Sequence, residues 1–419
     1  MPTTVTRTIG TTGDYSTIQA WEDACPANLV TNDEIWRGEC QNQEFVTSLE
    51  LVISGQTADA TRYVELTTVA GASFADHANK LTNGLRYNVS NGAAIRLTAS
   101  YRQLMSISTN HTRVSKLQLH QSNGQAYAAI RTIGSSSVVI SQVLARSAGG
   151  SPFECGSGSW LNCLAISDRA TNGAGFSFQN GYVNSDIFNC TVVRPSNQTT
   201  GGEGFSLSYS NITVKNCAAF GYTNFFAGSG GASGNNNATN LSSVGFGTSN
   251  QVSLTYADQF EQPSNSGGVM DFRTKSGAAL IDNGANLSSS GVTADIVGAS
   301  RSAPYDIGAW EVTGLSPIVG TGAFTFDGMT IVGAGTLPIV GAGGFSFDGM
   351  TIAGIGRDPN ALIVSAVGSS RTRRGARRVY LQDPPPSAVF HPNALPAELA
   401  GNAVPAWYDE DEEAWMMLG

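Results

Sequence analysis

The chain has 419 residues, a formal net charge of −9, 49 glycines and only 13% charged residues. That acidic balance argues against nucleic acid as a partner, and the absence of any run of 18 apolar residues argues against a membrane span. Length alone suggests two or three domains, and the opening "MPTTVTRTIG" lacks the apolar core of a signal peptide.

The first predicted element is a short amphipathic helix in "DYSTIQAWEDAC". Ser16 followed three residues later by Gln19 reads as a capping box, and Ile18, Trp21 and Cys25 share one face. Strand-like near copies follow: "AAIRLTAS" at 93–100, "AAIRTIGSS" at 128–136, "GFSFQNG" at 175–181 and "GFSLSYS" at 204–210. Between them an Asn-Cys pair recurs at Cys163, Cys190 and Cys217, 27 residues apart each time (190−163 and 217−190). The same frame fits Leu117 and Val143 upstream and Leu241 downstream. The residues just before these anchors are Lys116, Gln142, Asn162, Asn189, Asn216 and Asn240.

A fixed period of this size predicts a solenoid whose rungs cannot bury their apolar faces alone. Asn tolerates left-handed backbone angles, so each pair reads as strand, sharp bend, strand. Stacked bends would form an amide ladder, with Cys163, Cys190 and Cys217 as small inward fillers. The alternative of a metal site finds no support: His77, His111, His120 and His391 are not in ligand spacing, and no two cysteines form a Cys-x-x-Cys pair. No metal or other cofactor is expected. The body ends with "DIVGASRSAPYDIGAWE" at 295–311.

On these motifs, residues 8–312 resemble the right-handed parallel β-helix proteins of the pectate-lyase-like superfamily. The resemblance implies an all-β solenoid, a helical plug at its N-terminal end and a C-terminal lid formed by 295–311. The expected divisions are a cap with first coils at 1–85, the β-helix body at 86–312, two Gly-rich repeats at 313–356 and an extended attachment tail at 357–419.

The repeats "SPIVGTGAFTFDGMTIVGAG" and "LPIVGAGGFSFDGMTIAGIG" place Phe324 and Phe345, Asp327 and Asp348, and Gly333 and Gly354 each 21 residues apart. Asp-Gly between alternating runs predicts a β-hairpin. Phe324, Phe326, Met329 and Ile331 then share one face, as do Phe345, Phe347, Met350 and Ile352. An isolated hairpin cannot bury such a face, so oligomerisation or docking is expected. The repeats resemble glycine-rich modules near the ends of bacteriophage tail and fibre proteins, and that resemblance implies a trimer. In the tail, five arginines crowd between Arg371 and Arg378, and five acidic residues are flanked by Trp407, Tyr408 and Trp415, which read as anchors to a partner.

Catalytic residues are not apparent in the sequence. Adjacent Asp pairs are missing, and Glu154, Asp168, Asp186 and Glu203 look scattered; Arg146 and His120 share a phase but read as surface residues. The expectation is a non-enzymatic bacteriophage virion protein, a tail spike or fibre or a decoration protein of the head, assembled in the host cytoplasm. Its partners would be other virion proteins, further copies of itself and a host surface glycan. The alternative is a polysaccharide depolymerase or lyase, either a tailspike enzyme or a secreted carbohydrate-active enzyme.

Overall fold

The computed structural model describes residues 1–312 except 77–82, 133, 170–172, 179–184, 199–200, 208–210, 229–230 and 266–268, and beyond them the backbone of short strands between 318 and 417. The chain forms two units, Met1–Thr313 and Gly314–Gly419.

The first unit is a parallel β-helix. Its strands feed three sheets in a recurring order: a nine-stranded first sheet, an eight-stranded second sheet and a seven-stranded third sheet. The rungs align residue by residue. Val114, Ile140, Trp160, Ile187 and Val214 form one inward column of the first sheet, and Leu119, Ala145, Ala165, Val192 and Ala219 form one in the second. In the third sheet Met105, Ile130, Phe153, Phe176 and Phe205 are stacked, with ring centroids 4.6 Å apart for Phe153 and Phe176. All of these side chains are buried in one core. Small residues face large ones across it, which keeps a constant cross-section from rung to rung.

The bend between the first and second sheets needs a left-handed residue. Lys116, Gln142, Asn162, Asn189 and Asn216 have φ of 60, 54, 52, 50 and 53°. The next bend is made by Asn236, with φ of 53°, because Ala218 pairs with Ala238. Asn240 therefore does not occupy the ladder position that the sequence frame gave it. That coil is shorter than the Asn-Cys period, and Asn240 falls beyond the strand, where its Oδ1 accepts from the Gly221 amide. Cys163, Cys190 and Cys217 are fully buried and unoxidised. Burial pushes the Cys163 and Cys190 thiols well above their ordinary range, which suits inert fillers.

The N-terminal helix spans Ile18–Asp23, and its cap is Thr17, whose hydroxyl accepts from the Ala20 amide at 3.1 Å. The expected capping box at Ser16 is displaced by one residue. Gln19 instead reaches the edge strand Leu51–Ile53 of the third sheet, exchanging two hydrogen bonds with the Val52 backbone, at 2.9 and 3.2 Å. Glu22 accepts from the Ser54 amide and Gln56. Trp21 and Ile18 enter the core. The helix thus satisfies an open strand edge while plugging the core beneath it.

The segment after residue 240 departs from the lid expectation. It runs as a strap along the outside of the second sheet. Leu144, Leu164, Ile166, Val193, Ala218 and Phe220 point outward from that sheet, and they pack on Phe260, Phe272, Leu280, Ile296, Ile307 and Trp310 of the strap. Where the strap covers it, the second sheet is therefore apolar on both faces, as sheets covered on both sides must be. The bend amides hold the strap: Gln142 Nε2 donates to the Asp295 carbonyl at 2.7 Å, Asn189 Nδ2 to that of Asp306 at 3.0 Å, and Asn216 pairs with the Ala285 backbone in both directions. Between neighbouring bend amides only Asn216 and Asn189 are hydrogen-bonded among the described residues, at 3.3 Å.

At the centre of the strap, Arg301 is buried against Glu311 at 2.7 Å. It also donates to Asn162 Oδ1 and to the carbonyls of Gly308 and Ala309. The motif at 295–311 is therefore a clamp on the helix flank.

In the second unit, Ile318–Thr321, Phe324–Asp327 and Thr330–Val332 pair in parallel with Ile339–Ala342, Phe345–Asp348 and Thr351–Ala353. The two repeats thus stack on each other, like on like, and among the described residues the strands on either side of Asp327 and Asp348 pair with the other repeat, where the sequence predicts hairpins. Two closely similar sequences stacked in register complete three backbone ladders, where a hairpin completes one. Met329 and Met350 lie outside the described residues, as do most of the tail and the side chains of Phe324, Phe326, Ile331, Phe345, Phe347 and Ile352. The backbone of Ala406–Asp409 pairs antiparallel with Ala414–Met417, so Trp407 faces Met416 and Tyr408 faces Trp415 in register.

Candidate functional site

The three sheets differ in what lies on their outer faces. The second is covered by the strap, and on the first Leu161 and Phe188 meet Leu287, Val292 and Tyr305. Among the described residues, no apolar cluster forms on the outer face of the third sheet. Its outward column is Val52, Ser106, Arg131, Glu154, Ser177, Ser206 and Ala227, a strip that is polar over most of its length.

Its lower half gathers charge. Arg131 Nε lies 3.3 Å from Glu154 Oε2, and Gln103 Nε2 donates to the same oxygen at 3.4 Å. The Glu50 carboxylate accepts from the Ser106 hydroxyl. Glu154 leans down the strip toward Gln103 and Glu50 leans up toward Ser106. Burial pushes the Glu154 carboxyl above its ordinary range, against the pull of Arg131. Leu49 and Tyr101, on the loops that enter these rungs, are 63% and 67% exposed. A carboxyl whose burial favours its protonated form, a second carboxylate and a guanidinium are side-chain types that can bind sugars and move a proton.

A second charged group sits on the outer face of the second sheet. Arg96, His120 and Arg146 occupy successive rungs. Glu44 accepts from Arg96 at 2.7 and 3.1 Å and from Tyr87 at 3.1 Å, and Arg146 pairs with Asp168. The Tyr87 ring lies 4.7 Å from that of His120. Burial, with the charges of Arg146 and Arg96, pushes His120 down to about 4, so it is neutral at pH 7. Each carboxylate here is committed to a guanidinium and Tyr87 closes over the imidazole, so the group pins residues 83–91 to the coils.

Of the other acids considered from sequence, Asp186 faces outward on the first sheet between Ser159 and Thr213. Glu203 begins a third-sheet strand opposite Asn224. Neither joins a carboxylate pair among the described residues. Glu50, Gln103 and Arg131 escaped the sequence reading, because Glu50 lies in a turn before its strand and 104 residues before Glu154.

No protein family matches the chain, and no curated protein does. Among solved structures it is similar to the pectin methylesterase of Aspergillus niger in deglycosylated form, with a TM-score of 0.38 and 12% identity over 59% of this chain and 92% of that one. It is also similar to a substituted pectin methylesterase in complex with a hexasaccharide, with a TM-score of 0.28 and 10% identity over 60% and 93%. Both are enzymes, so the expectation of a non-enzymatic protein is corrected and not kept. At these scores the likeness assigns neither a reaction nor a residue to this chain.

Proposed function

We propose that this protein binds a polysaccharide along the outer face of the third sheet and cleaves it, with Glu154 as proton donor and Glu50 as the opposing carboxylate. The observation that carries the reading is the placing of Glu50, Arg131 and Glu154 along a sheet face over which no apolar cluster forms among the described residues. Glycoside hydrolysis uses two carboxylates about 5–10 Å apart, and Glu154 and Glu50 would supply them. Burial keeps Glu154 protonated further up the pH scale, as a general acid requires. Arg131 offers a hydrogen-bonding fork for hydroxyls or sugar carboxylates, and Tyr101 a stacking surface.

In this reading the second unit carries the body on a bacteriophage particle, among other virion proteins and in several copies, with trimers favoured, and the polysaccharide belongs to the host surface. The support is the pair of 21-residue repeats and their resemblance to phage fibre modules.

A glycan array of acidic and neutral bacterial polysaccharides, followed by assay of reducing ends on the ligands retained, tests the proposal. Wild-type protein is expected to retain and shorten at least one of them. Glu154→Gln should bind it with similar affinity and cut it at least about 100-fold more slowly, and Arg131→Ala should weaken binding. Equal cleavage by wild type and Glu154→Gln, or no retention anywhere on the array, would overturn it.

A further inference from the structure

The charged group on the outer face of the second sheet lies outside the polysaccharide strip, and its charges balance only while one imidazole is neutral. His120 stands between Arg96 on the strand before it and Arg146 on the strand after it, with about 4.8 Å from one backbone to the next. Two carboxylates answer the two guanidiniums. Glu44 accepts from Arg96 and from the Tyr87 hydroxyl, and Asp168 pairs with Arg146. The Tyr87 ring covers the imidazole from outside, with centroids 4.7 Å apart.

A proton on His120 would place a third cation in a column whose two carboxylates are already committed, beneath a ring that keeps water from it. Lost hydration and like charge both disfavour the imidazolium, and they hold the pKa at about 4, down from 6.5. Lifting Tyr87 removes the larger of these costs. The segment that carries it is the part able to move: residues 86–91 belong to no strand. Besides Tyr87, they are held by the hydrogen bond from Arg86 Nη1 to the Met270 carbonyl at 3.2 Å and by two between the Asn88 backbone and Gln118, at 2.9 and 3.1 Å. The neighbouring strand Ala94–Leu97 is instead paired on both sides.

We propose that Tyr87, closed over His120, is an acid-sensitive latch: uptake of one proton by His120 releases residues 86–91 from the second sheet and opens the outer face of its first coils. The sign follows from the direction of the shift. The closed state takes the proton less readily than the released one, so its stability is fully present above pH 6.5 and is lost as pH falls from 6.5 toward 4. The released state is then favoured about 20-fold more at pH 5 than at pH 7.

Amide hydrogen exchange of the full chain at pH 7 and pH 5, read as protection relative to unstructured peptide, tests this. The Asn88 and Asn91 amides are expected to lose protection by about 20-fold at pH 5, while Ala94–Leu97 keeps its own. His120→Phe leaves a ring beneath Tyr87 that cannot take a proton, and its protection should be the same at both pH values. NMR titration of wild type needs no variant: one of the four imidazoles should titrate below pH 5, in step with the loss of protection. A flat wild-type profile, the same loss in His120→Phe, an equal loss in Ala94–Leu97, or four imidazoles titrating near 6.5 would each overturn the proposal.

Discussion

Arg301→Met is expected to release the strap from the flank of the β-helix and to lower the unfolding free energy by about 3–5 kcal/mol. The side chain is fully enclosed, and besides Glu311 it faces Asp295 and Asp306, whose carboxylates are also buried. Methionine fills much of the volume but leaves three acids without their cation. The pH dependence should show it. Burial pushes Asp306 up to about 6 from the ordinary 3.8. A carboxyl raised in the folded state contributes stability that is fully present below about pH 4 and is lost as pH rises through 6, by at most about 3 kcal/mol. Asp295 is shifted in the same direction.

In Arg301→Met this loss should be larger, so acid should partly rescue the variant. Denaturant unfolding at pH 5 and pH 8, with limited proteolysis of residues 275–312, measures both effects. A variant within 1 kcal/mol of wild type at both pH values, with the strap protected from protease, would show that the apolar contacts alone hold it.

Trp21→Ala is expected to open the N-terminal end at a cost of about 3–5 kcal/mol. Trp21 is completely buried, and its carbonyl accepts from Trp36 Nε1 at 3.4 Å. The fit on Gly38 is close: a Cβ there would stand 2.5 Å from the Trp21 ring. Removing the ring loosens the helix that occupies the edge of Leu51–Ile53, and a freed strand edge is a template for association. Thermal melts and light scattering should therefore move together, with a lower midpoint and larger particles. A monodisperse variant that melts within a degree of wild type would locate the plug elsewhere.

Much of the body was legible in the sequence because the bend is demanding. A left-handed residue is needed once per coil, Asn supplies it cheaply, and the repeated Asn-Cys pair marks the rung. The frame slipped at Asn240 because coil length varies and the period cannot be extrapolated across a short coil. The strap was less legible, although its signal was present: Leu164-Ala165-Ile166 and Ala218-Ala219-Phe220 are apolar at consecutive positions, which only a sheet covered on both faces requires. In the repeats, the local Asp-Gly signal competed with a longer-range one, the 21-residue identity, and stacking prevailed. The site was the least legible part. Glu50 and Glu154 come to the same sheet face only through the register of four coils separated by loops of unequal length, and no local pattern carries that information.

The most direct test of the central claim is amide hydrogen exchange with and without the oligosaccharide that the array retains best. Binding along the third sheet predicts slowed exchange in residues 48–54, 98–107, 130–132 and 153–155, with the strap at 275–312 unchanged. Slowing confined to the first sheet or to the strap, with the third-sheet strands unaffected, would contradict the assignment of that open face as the site.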